Sequence, residues 1–257
     1  MKKKLLALSL VAAMAVGVFA GCSSSEEPAE TTEGTEEGAE ATGEKYIIAT
    51  DTVFPPFEFT NEDGDFVGID VDIINAIAED QGIDVEIQSL GFDAALLAVQ
   101  SGQADGVIAG MSITDERKQS FDFSEPYFDA DVTMAVAKGS DVKSYEDLAG
   151  KTVAVKTATN GADFAKSIAD EYGFTVVEFK DSPTMYQDVI AGNTAACFED
   201  YPVMAYNIQQ GAELEMPEGA TAAGTQYGFA VAKGQNAELL EKFNAGFANI
   251  KENGKFQ

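Results

Sequence analysis

Histidine and tryptophan are absent from this chain of 257 residues, and cysteine occurs only twice. Without histidine there is no Ser-His-Asp or Cys-His catalysis and no histidine-based metal centre. Two cysteines, Cys22 and Cys197, cannot build a zinc cluster or a disulfide framework. Positive charge is scarce as well. There are 16 basic residues against 44 acidic ones, a net charge of -28, and Arg117 is the single arginine among 15 lysines. Such an excess of negative charge excludes nucleic acid as a partner, because that binding rests on phosphate neutralisation. The apolar share is an ordinary 45%, which speaks for a packed core and against general disorder.

The N-terminus does not read as part of that core. Met1-Lys2-Lys3-Lys4 is followed by an uncharged run from Leu5 to Ala20 and then by Gly21-Cys22. A basic start, a short apolar stretch and small residues describe a secretory signal over residues 1–21. The run is short for a membrane span, which needs about 20 residues. Phe19-Ala20-Gly21-Cys22 resembles a bacterial lipobox, although the leucine usual three places before the cysteine is Phe19 here. The resemblance implies that Cys22 is lipidated and becomes the mature N-terminus, tethering the protein to the outer face of the cell membrane. Residues 23–44 contain eight glutamates, no basic residue and no apolar residue larger than alanine. That composition predicts an acidic, disordered tether over residues 22–44.

Beyond the tether, strands and helices alternate. The spacing of Val71, Ile74, Ile77 and Ala78 predicts a helix that Gly82 stops. Further helices are expected over 92–99, 160–171, 183–190, 201–209 and 237–251. Strands are expected over 46–50, 85–90, 105–110, 132–137, 152–155, 174–179, 194–198 and 227–232. Short helical turns are expected at 115–119 and 144–148. Regular αβ alternation argues for mainly parallel sheets covered by helices. Cys197 falls in an apolar run and reads as a small core residue. In open α/β sheets, ligands bind beyond the carboxyl ends of strands. Asp51, Gly110-Met111-Ser112, Lys156-Thr157 and Glu199-Asp200 collect at such ends, which points to a polar, zwitterion-like ligand.

Several segments, taken in order, carry a resemblance. They are Ala49-Thr50-Asp51-Thr52, Pro56-Phe57-Glu58-Phe59, Gly68-Ile69-Asp70-Val71-Asp72-Ile73 and Ser112-Ile113-Thr114-Asp115-Glu116-Arg117-Lys118. Phe121-Asp122-Phe123-Ser124, Val153-Ala154-Val155-Lys156 and Glu199-Asp200-Tyr201-Pro202 follow. Together the chain resembles the family 3 extracellular solute-binding proteins of ABC importers, and within them the glutamine-binding branch. The resemblance implies a two-lobed periplasmic-binding-protein clamp of type II, each lobe a mainly parallel sheet with flanking helices. Lobe one would be residues 45–127 and 228–257, and lobe two residues 132–222. Crossings near Tyr127–Asp131 and Ala223–Tyr227 would form the hinge. Family members usually continue past the Asn253-Gly254 segment into a final helix with an aromatic end, so a C-terminal truncation is expected here.

The resemblance also assigns a site. Arg117 would take the ligand α-carboxylate in a two-pronged hydrogen bond suited to its planar fork. The alternative is a surface arginine pairing with Asp115 or Glu116. Ser112 would contact the ligand, whereas Thr114 reads mainly as a helix cap, and Gly110 would offer a carbonyl to the α-ammonium. Asp200 would hold that ammonium rather than cap the helix after it, because Pro202 lacks an amide hydrogen. Phe54 and Phe92 would be the apolar walls, or else ordinary core. Thr157 and Asn160 would add donors from lobe two, with Asn160 standing where the family often has glycine. Asp51 and Lys156 present an acceptor and a donor together, which suits a carboxamide. Glu199 stands where the glutamine-binding relative has histidine, so another polar amino acid stays open.

The implied function is the extracytoplasmic binding subunit of an ABC importer, not an enzyme. Its partners would be a free amino acid and the permease subunits, with the membrane touched only through the anchor. No cofactor, metal or nucleic acid is expected, and the protein would be a monomer. The alternatives are a ligand-sensing lipoprotein for a receptor, or a dehydratase with Glu199 as its acid on the same fold.

Overall fold

The computed structural model describes residues 45–257. The expected signal, the Cys22 anchor and the tether fall outside the described residues.

The chain opens with β1 (Lys45–Thr50), the small hairpin β2 (Phe59–Thr60) and β3 (Phe66–Val67), then α1 (Ile69–Gln81), β4 (Asp84–Ser89) and α2 (Phe92–Gln100). β5 (Gly106–Val107), β6 (Phe121–Phe123), β7 (Phe128–Ala137), β8 (Thr152–Lys156), α3 (Asn160–Tyr172), β9 (Thr175–Phe179) and α4 (Ser182–Ile190) follow. The chain then forms β10 (Ala196–Asp200), α5 (Tyr201–Gln209), β11 (Leu214–Glu215), β12 (Thr221–Tyr227), β13 (Ala230–Ala232) and α6 (Ala237–Glu252).

Two sheets make two lobes. The first sheet has the order β4-β1-β5-β13-β6, and the second β11-β7-β10-β8-β9 with β12 beside β7. Each contains a parallel trio: β4, β1 and β5 in one, and β9, β8 and β10 in the other. The remaining strands pair antiparallel. Each sheet therefore keeps a parallel trio with flanking helices, and its antiparallel strands pair residues far apart in the chain, among them β7 and β12.

Alternation along each strand divides each lobe into two packed layers. In the first sheet Ile48 faces α1 and α6 through Ile74, Ile77, Phe243 and Phe247. The next residue, Ala49, faces α2 through Phe92, Ala95 and Val99. In the second sheet Val153, Val155 and Phe198 pack on Ala162 and Ala165 of α3. Ala154 and Cys197 point the other way, toward Met185, Val189 and Met204 of α4 and α5. Cys197 is thus an ordinary buried core thiol.

The chain passes between the sheets twice, once into β7 and once out of β12. These two strands pair with each other from Thr133↔Thr221 to Phe128↔Tyr227, with an irregularity between Ala222 and Thr225. The expected strand over 227–232 is therefore split into the end of β12 and a separate β13. The expected strand over 105–110 shrinks to β5, and the helical turn at 115–119 is a 3-10 turn over Arg117–Gln119.

Candidate ligand-binding cleft

The cleft lies where the carboxyl ends of the two parallel trios meet. On the first-lobe side, Phe54 stands in a tight turn in which its amide donates to the Glu58 carbonyl at 2.7 Å. This turn is strapped to the start of α1 by the amides of Ile69 and Asp70, which donate to Pro56 and Phe57 carbonyls. Only glycine fits between them at Gly68, where a Cβ would lie 2.1 Å from the Phe57 carbonyl oxygen and φ is 137°. Gly110, at φ 53°, is equally constrained, since a Cβ there would meet the Phe54 ring at 2.6 Å.

Arg117 reaches the cleft from its 3-10 turn, whose first amide donates to Thr114 Oγ1 at 3.2 Å. Thr114 is therefore a cap. The guanidinium is aimed inward rather than at Asp115 or Glu116. Nη1 donates to the Ser112 carbonyl at 2.8 Å, and Nη2 crosses to the second lobe and donates to the Ala158 carbonyl at 2.8 Å. The guanidinium carbon also lies 5.4 Å from the Phe92 ring centre. Burial lowers its pKa, and Asp200 and Asp163 oppose that shift; the guanidinium stays charged.

On the second-lobe side β8 delivers Lys156. Its Nζ donates to Asp51 Oδ2 at 2.6 Å, and the two side chains are 2% and 1% exposed. Asp51 Oδ1 accepts from the Thr52 amide, so both carboxylate oxygens are engaged. The Lys156 ammonium lies 4.1 Å from the Phe54 ring centre and 5.5 Å from that of Phe92. Burial works against this ammonium, but Asp51 and Glu199 outweigh it, and its pKa stands above the ordinary lysine value.

β10 ends in two buried acids with different surroundings. Glu199 is fully engaged: Ser182 and Tyr186 hydroxyls donate to Oε2, and the Asp200 amide donates to Oε1. Asp200 makes no capping bond to α5. Instead Tyr227, at the end of β12, donates its hydroxyl to Asp200 Oδ2 at 2.5 Å. Burial, and then Glu199, push the Asp200 carboxyl up to about 7 against the pull of Tyr227, Lys156 and Arg117.

The structure thus brings Phe54, Phe92, Gly110, Ser112, Arg117, Lys156, Asn160 and Asp200 around one cavity, and Asp51 joins them through Lys156. The enclosed volume is about 10 Å³, room for about one water molecule. Thr157 is not brought to the lining. Its amide and hydroxyl both donate to the Phe179 carbonyl, at 2.9 and 3.1 Å. Thr159 stands at the lining instead, capping α3 by accepting from the Ala162 amide. The turn between β8 and α3 holds Ala158 at φ 64°, a conformation a non-glycine residue seldom adopts, and so presents its carbonyl to Arg117. Neither Ala158 nor the bond from Tyr227 to Asp200 carried a sequence signal. Ser182 and Tyr186 were missed for the same reason: their partner Glu199 lies on another element. Thr159 was legible as a hydroxyl residue just ahead of a helix.

The sequence pattern of the bacterial extracellular solute-binding proteins, family 3, matches residues 46–257. This chain belongs to that family. Among its relatives, the arginine-binding extracellular protein ArtP of Bacillus subtilis (strain 168) is 31% identical over 100% of this chain and 96% of its own length. Substrate binding domain 2 of Lactococcus lactis GlnP, solved in open conformation, is 47% identical over 82% of this chain and 91% of that one, with a TM-score of 0.57. An ancestral arginine-binding protein bound to glutamine is 40% identical over 82% of this chain and 94% of that one, with a TM-score of 0.76. The more identical structure superposes less well.

Proposed function

We propose that this chain is the binding subunit of an amino-acid ABC importer, and that it holds glutamine between its lobes. The observation that carries the ligand assignment is the buried Lys156–Asp51 pair between the Phe54 and Phe92 rings. A slot whose far end presents one ammonium donor and one carboxylate acceptor suits a carboxamide, which has both complementary functions. An arginine or lysine side chain would bring a second cation against Lys156. A glutamate side chain would set a second anion against Asp51. The long, flexible lysine yields the inter-ring space to the ligand side chain while staying within reach of its amide oxygen.

The other end of the ligand is served by the main chain and the single arginine. Arg117, beside Ser112, takes the α-carboxylate in a forked hydrogen bond. Asp200 and the Gly110 carbonyl take the α-ammonium. An ammonium there gives the buried Asp200 carboxylate the cation that burial alone denies it. Phe54 and Phe92 grip the aliphatic part, and Asn160 with the start of α3 adds donors. Contacts from both lobes stabilise the shut clamp, and the shut clamp docks on the permease. The lobes of this working clamp are 45–127 with 228–257, and 132–222, hinged at the two crossings. Residues 1–21 export it, lipidated Cys22 anchors it outside the cell membrane, and residues 22–44 space it from the surface. It works as a monomer.

The test is isothermal calorimetry of the mature protein against each common amino acid. Glutamine is expected to bind at micromolar affinity or tighter, about -8 kcal/mol, and arginine at least tenfold more weakly. Failure to bind any α-amino acid sinks the reading. Arginine binding tighter than glutamine overturns the ligand assignment alone.

A further inference from the structure

Behind the cleft, outside its lining, lies a pair of acids that ligand contact does not explain. Glu58 closes the Phe54 turn and is 0% exposed, as is Asp70 in the first turn of α1. Asp70 Oδ2 accepts from the Gly110 amide at 2.7 Å and from the Tyr127 hydroxyl at 2.9 Å. The Glu58 and Asp70 carboxyls lie within hydrogen-bond reach of each other. Yet both Glu58 oxygens and Asp70 Oδ1 find no donor among the described residues. Three buried acceptors without a donor are costly. Two ionised carboxylates side by side at this depth would also repel.

A single proton removes the repulsion and engages two of the three acceptors. Held on Glu58, it turns an orphan acceptor into a donor aimed at Asp70, and it leaves Asp70 anionic for Gly110 and Tyr127. We propose that Glu58 and Asp70 share one proton, and that this pair is a positioning device for the cleft, with Glu58 aligning Asp70 and Asp70 aligning Gly110 and Tyr127. Gly110 lines the cleft, and Tyr127 leads directly into β7, the strand that connects the lobes. One pair of acids therefore ties the Phe54 wall, the Gly110 turn and a lobe connection together.

The charged and titratable groups facing the pair support a proton on Glu58. Burial, then Asp70 and Asp51, raise the Glu58 carboxyl well above the ordinary value, against the weaker pull of Lys156. Burial raises Asp70 only to about 6, because the Gly110 amide and the Tyr127 hydroxyl hold its anion. Tyr127 itself is pushed up by burial and by both acids, so it remains a donor. Glu58 therefore keeps the proton at neutral pH and surrenders it last. When it does, the pair becomes a buried dianion, and the alignment of Gly110 fails.

This inference rests on the reading of the cleft as an amino-acid site, so its test has one arm that needs no ligand. Infrared difference spectra of wild type against Glu58→Gln at neutral pH are expected to show a protonated carboxylic-acid carbonyl band that the substitution removes. In the second arm glutamine affinity is measured by calorimetry. Glu58→Ala is expected to weaken it at least tenfold, and Glu58→Gln, which can still donate to Asp70, to restore it to within threefold. The wild-type to Glu58→Gln ratio of dissociation constants should grow at least fivefold from pH 6 to pH 9, since contributions of the ligand ammonium and of Asp200 cancel in it. If Glu58→Ala does not fold, the band and the ratio still decide. A neutral-pH spectrum without that band, a ratio flat with pH, or a Gln variant as impaired as Ala overturns the proposal. Loss of all amino-acid binding in wild type with the band present counts against the binding function and not against the shared proton.

Discussion

The two sides of the cleft are built on opposite plans. The first-lobe side is backbone-defined. Gly68 and Gly110 allow close approaches that no side chain would permit, and Phe54, Phe92 and Ser112 hang from that frame. The second-lobe side contributes charges on strand ends, Lys156 and Asp200. Lys156 finds its partner, Asp51, on the other lobe, and Asp200 finds its own, Tyr227, at the end of the crossing strand β12. One lobe presents a shaped platform, whereas the other presents charged groups, of which Lys156 is paired across the cleft. A buried charge without a partner is expensive, so the Lys156–Asp51 pair ties the two sides together.

Arg117 breaks the symmetry of that comparison most sharply, because it stands on the platform yet bonds across to Ala158. Arg117→Ala is expected to weaken glutamine binding by about 3–5 kcal/mol, the cost of leaving a buried carboxylate unpaired. Calorimetry checks this, and an affinity within threefold of wild type would refute its role.

Replacing the second lobe's cation has the next largest effect. Lys156→Met leaves Asp51 Oδ2 without its donor, and glutamine affinity is expected to fall by about 2 kcal/mol. The vacated place between Phe54 and Phe92 then suits a cationic side chain. Arginine affinity should rise at least tenfold in the same variant. Parallel titrations with both amino acids measure the switch, and a variant that loses both ligands argues that Lys156 is structural only.

The smallest effect separates the two sides by pH. Asp70, on the platform, is raised to about 6, and Asp200, across the cleft, to about 7. An acid raised on folding binds its proton more tightly in the native state. Stability from these two groups is complete below their unfolded pKa near 4 and is lost as pH rises through 6 and then 7. Melting temperature without added amino acid is expected to drop between pH 5 and pH 8. Asp70→Asn should remove the step near pH 6 and Asp200→Asn the step near pH 7. Surface acids such as Glu86 and Asp122, lowered by their lysine partners, act in the opposite sense and only below about pH 4.

Much of this molecule was legible in the sequence where a period of 3.6 or 2 ran long enough to be read. Helices α1, α3, α5 and α6 emerged near their observed bounds, and so did β1 and β4. The β2–β3 hairpin, β6 and β11 are two or three residues long, too short to carry a period. β12 was read in part, as an extended crossing, because it draws its identity from β7 rather than from its own pattern. At the site, Arg117 stood out by being alone among the cations, and Asp200 by the proline behind it. The resemblance points to Thr157, whereas Thr159 lines the cavity, two residues on in a turn whose course depends on Ala158.

Composition and order of residues by themselves determined the alternating αβ plan, the strand ends at which polar groups gather, and the choice of a single arginine. Those are properties of local periodicity and residue chemistry, and they persist whatever the lobes do. Only the tertiary structure decided that Lys156 meets Asp51, that Tyr227 serves Asp200, and that Glu58 lies against Asp70. Each of these contacts joins residues on separate elements, from 12 to 105 positions apart. Their energies come from shared burial, which no stretch of chain creates alone.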